Sequence, residues 1–172
     1  MSEKDVIFKT KVKVKDGIYN YGDFYKFCYT WLTQEVGLGS FAERAYSEKV
    51  SGESKEVDVK WEGMKNISDY FRMEVKVTFK FLGLKKIEAV KDGTKIRTNQ
   101  VSSTEMDVKG ILVRDYKGKF ETSGWSKFWR GVYERWVIPE RIDQIEDKVS
   151  GELDEFVGQV KAYFALEGNT IS

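Results

Sequence analysis

The sequence predicts a single α+β domain, in which a curved antiparallel sheet of six to seven strands wraps around a long C-terminal helix. Residues 69–84 alternate apolar and polar side chains with the period of a strand. Several shorter stretches alternate in the same way and are separated by turn residues. Residues 140–164 repeat apolar side chains every three or four positions, as the buried side of a helix does. These patterns favour a helix packed on an antiparallel sheet.

The strand over residues 69–84 is the clearest element. Side chains on a strand point alternately to its two faces, so the order of residues predicts which face is buried. From position 71 to position 81 every odd residue is apolar and every even residue is polar. The inward side chains are therefore Phe71, Met73, Val75, Val77, Phe79 and Phe81.

Shorter stretches supply the remaining strands. Residues 6–15 alternate and end at the turn pair Asp16-Gly17, and Asp92-Gly93 predicts a hairpin between two further short strands. The complete set of predicted strands is 6–15, 41–51, 55–62, 69–84, 84–90, 95–99 and 101–116.

The last predicted strand, 101–116, has apolar residues at both parities. Met106, Val108 and Leu112 share one parity, whereas Ile111 and Val113 share the other. Either the pairing shifts at a bulge near Gly110, or the strand is covered on both faces for part of its length.

Two or three helices are predicted. Asp23 is placed to cap a helix over residues 23–36, and Pro139 either interrupts or restarts a helical segment that covers 126–167. That segment is either one kinked helix or a helical hairpin, and its last part is also suited to dimerisation. The domain is expected to span residues 1–172, with a frayed tail at 167–172.

Composition limits the chemistry. With 29 basic and 28 acidic residues the net charge is +1, which provides no global attraction to nucleic acid or to anionic membranes. The chain contains one cysteine and no histidine, which excludes an intrachain disulfide, a histidine relay and histidine-ligated zinc. No motif indicates a cofactor, a metal site or an enzyme. No stretch has the length and hydropathy of a membrane span, so we expect a cytoplasmic protein.

The order of the predicted elements is strand, helix, about six antiparallel strands and a long C-terminal helix. This order resembles the helix-grip fold of the START and Bet v 1-like superfamily, in which a curved sheet and a long helix enclose a cavity. The glycine-rich loop of the plant members and a second short helix are missing from the pattern. The segments DYFR, LVRDY and GVYERWVIPERI are also similar to archaeal proteins of no assigned function.

The first functional hypothesis is a non-enzymatic protein that holds an apolar or amphipathic, lipid-like molecule between the sheet and the C-terminal helix. A fully packed core would produce the same apolar pattern. Arg114 is placed either to bind a ligand carboxylate at the cavity mouth or to pair with an acid such as Asp115. The candidate cavity-lining residues are Trp31, Met73, Val75, Val77, Phe79, Met106, Val108, Leu112, Arg114 and Phe156.

The alternative hypothesis is a protein- or RNA-interaction module that uses the basic aromatic segment 125–138. Trp125, Arg130 and Arg135 are its candidate surface residues, although the aromatic spacing also suits simple core packing. A homodimer is compatible with either hypothesis. The row of lysines at positions 9, 11, 13 and 15 is interpreted as a solvated edge strand, with a phosphate-binding ridge as the alternative.

Overall fold

The computed structural model describes residues 3–114, 128, 139–166 and 170–171. Strands and helices alternate only at the beginning of the chain, after which four long strands precede the C-terminal helix. The elements are β1 (Glu3–Tyr19), α1 (Tyr21–Thr30) with a π-helical extension (Trp31–Glu35), β2 (Ser40–Ser51), β3 (Ser54–Asn66), β4 (Phe71–Lys91), β5 (Thr94–Arg114), α2 (Pro139–Leu166) and β6 (Thr170–Ile171).

The sheet has five long antiparallel strands in the order β2-β3-β4-β5-β1. The two-residue β6 adds to the outer edge of β1 at Val14 and Lys15. The predicted count of six to seven strands is therefore wrong. The short strands predicted at 84–90 and 95–99 are the far ends of β4 and β5, whose pairing runs in one register from Phe71 opposite Arg114 to Lys91 opposite Thr94.

The first helix begins earlier than the sequence predicts. Asn20, rather than Asp23, is the N-cap, and its side-chain oxygen accepts a hydrogen bond from the Asp23 backbone nitrogen at 2.9 Å. The chain then turns after the π-helical extension at Gly37, whose φ of 77° suits glycine.

One core fills the space between the inner face of the sheet and the helices. The inward side chains of β4 are buried, as their alternation predicts. The C-terminal helix packs on the same face, which confirms that part of the predicted architecture. Its buried stripe consists of Ile145, Val149, Leu153, Phe156, Val157, Val160 and Phe164.

Three neighbouring strands share an irregularity, which we call the bulge row: Asp16 in β1, Ser102 in β5 and Gly83 in β4. The register places Asp16 and Gly83 on either side of Ser102. Both have positive φ, 53° for Asp16 and 65° for Gly83. Asp16-Gly17 therefore does not end β1, as predicted, but bends it. The strands keep the same register on both sides of this row. The buried position nevertheless shifts by one residue in each strand, from Val14 to Tyr19, from Phe81 to Leu84 and from Thr104 to Val101.

The end of β5 is covered on both faces. Leu112 is buried in the main core, and its neighbours Ile111 and Val113 are buried on the opposite face. A register shift also occurs nearby in β1, between Val6 and Phe8. This shift lies in β1, and β5 keeps one register with β4 through Gly110. Coverage on both faces therefore accounts for the mixed parity of this strand.

Neither described helix combines the length and the apolar character needed to cross a membrane.

Candidate functional site: an open groove beside the β4–β5 hairpin

The predicted cavity-lining residues come together in the core. The apolar candidates of β4 and β5, together with Phe156 of α2, are almost completely buried in a single cluster, whereas Arg114 lies outside it. Trp31 is half-buried and packs against the edge of the same cluster. These buried side chains therefore share one face of the sheet, which is packed against helix α2.

Helix α2 lies directly against the middle of the sheet. A Cβ atom built on Gly110 of β5 would lie 2.5 Å from Cδ1 of Leu153 and 3.2 Å from Cβ of Phe8. Leu153 thus occupies the space that any larger residue at position 110 would need. Glycine is required here for the close approach of the helix.

One small cavity does separate α2 from the sheet. It measures about 120 Å³ and is bounded by Lys65, Ile67, Met73, Ile145 and Val149, among others. Met73 is the one predicted cavity-lining residue that borders this cavity. Drug-sized ligands occupy sites of roughly 300–1,000 Å³. Binding between sheet and helix stays a prediction, and it requires α2 to move away from β5.

Arg114 has a partner within the sheet. Its Nη2 lies 2.7 Å from Oδ2 of Asp5 on β1. The ion pair joins two adjacent strands at one end of the sheet, because β1 and β5 pair from Glu3 opposite Arg114 onward. The structure thus gives Arg114 a cross-strand role with Asp5.

The predicted interaction surface at 125–138 falls outside the described residues, with one exception. Trp125, Arg130 and Arg135 are not described, and Phe128 is helical and 58% exposed. Interaction through this segment stays a prediction.

Two larger cavities lie beyond the bulge row, one of about 450 Å³ and one of about 640 Å³. Lys86 and Asn99 line both of them, so we treat the two as one site, the hairpin groove. The first cavity is also lined by Asn20, Ile87, Glu88, Arg97 and Thr98, and the second by Tyr21, Val50, Glu53, Ser54, Lys55, Leu84 and Lys85.

Asn99 fixes the geometry of the groove. Its Oδ1 accepts a hydrogen bond from the Tyr21 backbone nitrogen at 3.0 Å, and its Nδ2 donates to the Lys85 carbonyl oxygen at 3.5 Å. The first contact ties the β4–β5 hairpin to the start of α1. Because Asn20 caps that same helix, the groove is anchored on regular structure.

A polar network follows one wall of the groove. The Tyr21 and Tyr46 hydroxyls are 3.2 Å apart, Tyr46 donates to Glu48 at 2.8 Å, and Lys55 donates to the same Glu48 oxygen at 3.2 Å. The hydrogen bonds from Tyr46 and Lys55 lower the pKa of Glu48, whereas burial raises the pKa of Tyr21. At neutral pH the wall therefore carries an ionised glutamate and neutral tyrosines.

The rim of the groove is basic. Lys85, Lys86 and Arg97 are exposed, and no carboxylate of the described residues lies within ion-pair distance of them. Glu88 stands opposite Arg97 in the hairpin register without forming such a pair. Lys55 is already engaged by Glu48. Three cationic groups are thus available to an anionic ligand.

The described residues contain neither a cluster suited to a metal ion nor an accessible thiol. No group of three or more aspartate, glutamate, cysteine or histidine residues in these parts of the chain is arranged to hold a metal ion. Cys28 is fully buried, and this burial raises the pKa of its thiol well above the ordinary value. A buried thiol of this kind is a packing group and not a nucleophile.

Comparison with known proteins gives no relative: no family model, curated protein or solved structure matches this chain. The resemblance to the START and Bet v 1-like superfamily stays a prediction based on element order.

Proposed function

We propose that this protein binds an amphipathic small molecule with an anionic group, and that the hairpin groove is the binding site. The observation that carries this proposal is the pair of cavities that meet at Lys86 and Asn99. Each falls within the size range of small-molecule sites. The proposed ligand belongs to the class that the sequence suggested, but its binding site lies in the hairpin groove and not at the packed centre of the sheet.

The groove offers separate contacts for the two parts of such a ligand. Lys86 and Arg97 supply the charge for a carboxylate or phosphate, and the planar guanidinium of Arg97 suits bidentate contact. Val50, which is 74% exposed, and the ring of Tyr21 supply apolar surface in the adjoining cavity. Ligand binding would remove the exposed valine from water, which favours association.

The test compares two probes that differ only in the head group, dodecanoate and dodecanol. Isothermal titration calorimetry of the wild-type chain should show binding of dodecanoate and much weaker binding of the alcohol. The double variant Lys86→Gln/Arg97→Gln should lower the affinity for dodecanoate about 10- to 100-fold, which corresponds to about 1.4–2.8 kcal/mol for the two solvent-exposed charge contacts together.

The control variant Lys26→Gln/Lys161→Gln removes the same charge from exposed positions on the two helices. It should leave dodecanoate binding unchanged. Equal affinity for acid and alcohol, or equal weakening by both double variants, would show that the groove is not the site. Binding that instead disappears when α2 is held against the sheet by a cross-link would support the site between sheet and helix.

A further inference from the structure

The sheet face opposite α2, which we call the outer face, concentrates positive charge on three neighbouring strands. Between Gly110 and the bulge row, β1, β5 and β4 carry seven lysines and two carboxylates there, in a chain whose net charge is only +1. The lysines are at positions 9, 11, 13, 15, 76, 80 and 109, and the acids are Glu105 and Asp107.

Part of this charge is compensated within the sheet. Lys11 and Lys13 both pair with Glu105, at 3.5 Å and 3.4 Å. Lys80 lies 3.8 Å from Glu56 of the next strand. These contacts are the cross-strand charge pairs expected on a solvated sheet face.

One row of the outer face is compensated at one end alone. The register places Lys9, Lys109 and Lys76 directly opposite one another on β1, β5 and β4. Residues opposite each other in antiparallel strands have Cβ atoms about 4.5–5.5 Å apart, and like charges in such positions destabilise a sheet. Lys76 lies 3.9 Å from Glu62, while Lys9 and Lys109 have no carboxylate partner among the described residues.

The lysines cover an area that suits an extended polyanion. Positions 9 to 15 span about 20 Å along β1, since each residue of a strand advances about 3.3 Å, and three strands measure about 10 Å across. A duplex presents a phosphate about every 3.4 Å along each of its strands, so several phosphates face an area of this size.

We infer that the outer face binds the phosphate backbone of double-stranded nucleic acid without reading its sequence, at the row Lys9–Lys109–Lys76 and the lysines beside it. Phosphates placed there would relieve the repulsion within the row. Single strands are usually held by exposed aromatic side chains as well as by charge. Among the residues of the sheet and of α1, the exposed aromatic side chains are Tyr29 and Tyr46, which lie on α1 and β2 and outside this lysine field.

The test measures fluorescence anisotropy of a labelled DNA duplex of two helical turns over a series of salt concentrations. Wild-type protein should bind with an affinity that falls steeply with salt. The triple variant Lys9→Gln/Lys76→Gln/Lys109→Gln should reduce the slope of log affinity against log salt by about 2 to 3, because each lost phosphate contact changes it by about 0.9. Binding should be equal for duplexes of unrelated sequence.

The matched control is Lys26→Gln/Lys148→Gln/Lys161→Gln, which removes the same charge from exposed positions on the helices. It should bind the duplex with the wild-type slope. The inference is overturned if the control loses as much affinity as the row variant, if the duplex is not bound at low salt, or if a single strand binds more tightly. It is also overturned if vesicles containing phosphatidylserine are bound and the duplex is not.

A stability measurement separates loss of binding from loss of folding. Lys109→Gln removes the central charge of the row, so its thermal unfolding midpoint should equal or exceed that of the wild type. A lower midpoint would mean that the row is not repulsive, which contradicts the physical basis of the inference.

Discussion

Replacing Gly110 by alanine tests how closely α2 packs on the sheet. The new Cβ would lie 2.5 Å from Cδ1 of Leu153 and 3.2 Å from Cβ of Phe8. Leu153 is fully buried, so its methyl group can move only by displacing other core atoms. Overpacking of this kind lowers the free energy of unfolding by about 1–3 kcal/mol. Alanine loses less conformational entropy than glycine when the strand forms, which raises the free energy of unfolding by about 0.5–1 kcal/mol.

We therefore expect a net loss of about 1–2 kcal/mol for Gly110→Ala. In a chain of this size that loss lowers the melting temperature by about 2–8 °C, since each kcal/mol corresponds to about 2–4 °C. Urea denaturation should show a lower midpoint with an unchanged slope, because the surface exposed on unfolding stays the same.

Two companion variants make the test specific. Gly158→Ala lies in α2 with no atom within 4 Å of the new Cβ, so it should stabilise the protein by about 0.8–1 kcal/mol. In a Leu153→Ala background, Gly110→Ala should be neutral or stabilising, because the obstructing methyl group is gone. If Gly110→Ala alone is as stable as the wild type, α2 is not pressed against β5, and a ligand between sheet and helix regains support.

Three further predictions concern the bulge row, the tyrosines and the thiol. Gly83→Ala should lose about 1–3 kcal/mol in urea denaturation, because φ is 65° and the Cβ would lie 2.3 Å from Oγ of Ser102; wild-type stability would contradict this. Burial and the hydrogen bond to Glu43 raise the pKa of Tyr25 to about 12. Tyr25 therefore contributes its full stabilisation below about pH 10, the pKa of tyrosine in the unfolded chain, and loses it as the pH rises towards 12. Tyr25→Phe should therefore make the melting temperature decrease less at alkaline pH. Cys28 should react with a disulfide reagent only after unfolding, and rapid labelling of the native protein would contradict its burial.

Local patterns in the sequence predicted much of the fold. The strict alternation of 71–81 identified the buried face of β4, and the spacing from Ile142 to Phe164 identified the packed side of α2. Both patterns depend only on the geometry of one element. They could be read without knowing which strands are neighbours.

The strand count could not be read in this way. Gly83 looks like the end of a strand, but β4 continues through it because β5 keeps its register alongside. Likewise, Asp16-Gly17 has the composition of a turn, yet β1 continues to Tyr19. Whether such residues end a strand or bend it depends on pairing with residues far away in the chain.

The candidate site was missed for a related reason. An apolar strand face looks the same whether it meets a helix or a ligand, so residues such as Val75 and Val108 could not be assigned to a cavity or to a core. The hairpin groove depends on the contact between Tyr21 and Asn99, which are 78 positions apart. The adjacent pair Lys85-Lys86 was the one local signal, and its position beside a cavity could not be seen in the sequence.

The bulge row connects the packed core to the open groove. Along a regular strand, Phe81 would be followed on the inner face by Lys85 and Ile87. The one-residue shift at Gly83 instead places Leu84 inward, and Lys86 follows it on the same face. The same shift in β5 brings Asn99 to the side of α1, where it bonds to Tyr21. The bulge row therefore determines which residues beyond it extend the core, such as Leu84, and which line the proposed binding site, such as Lys86 and Asn99.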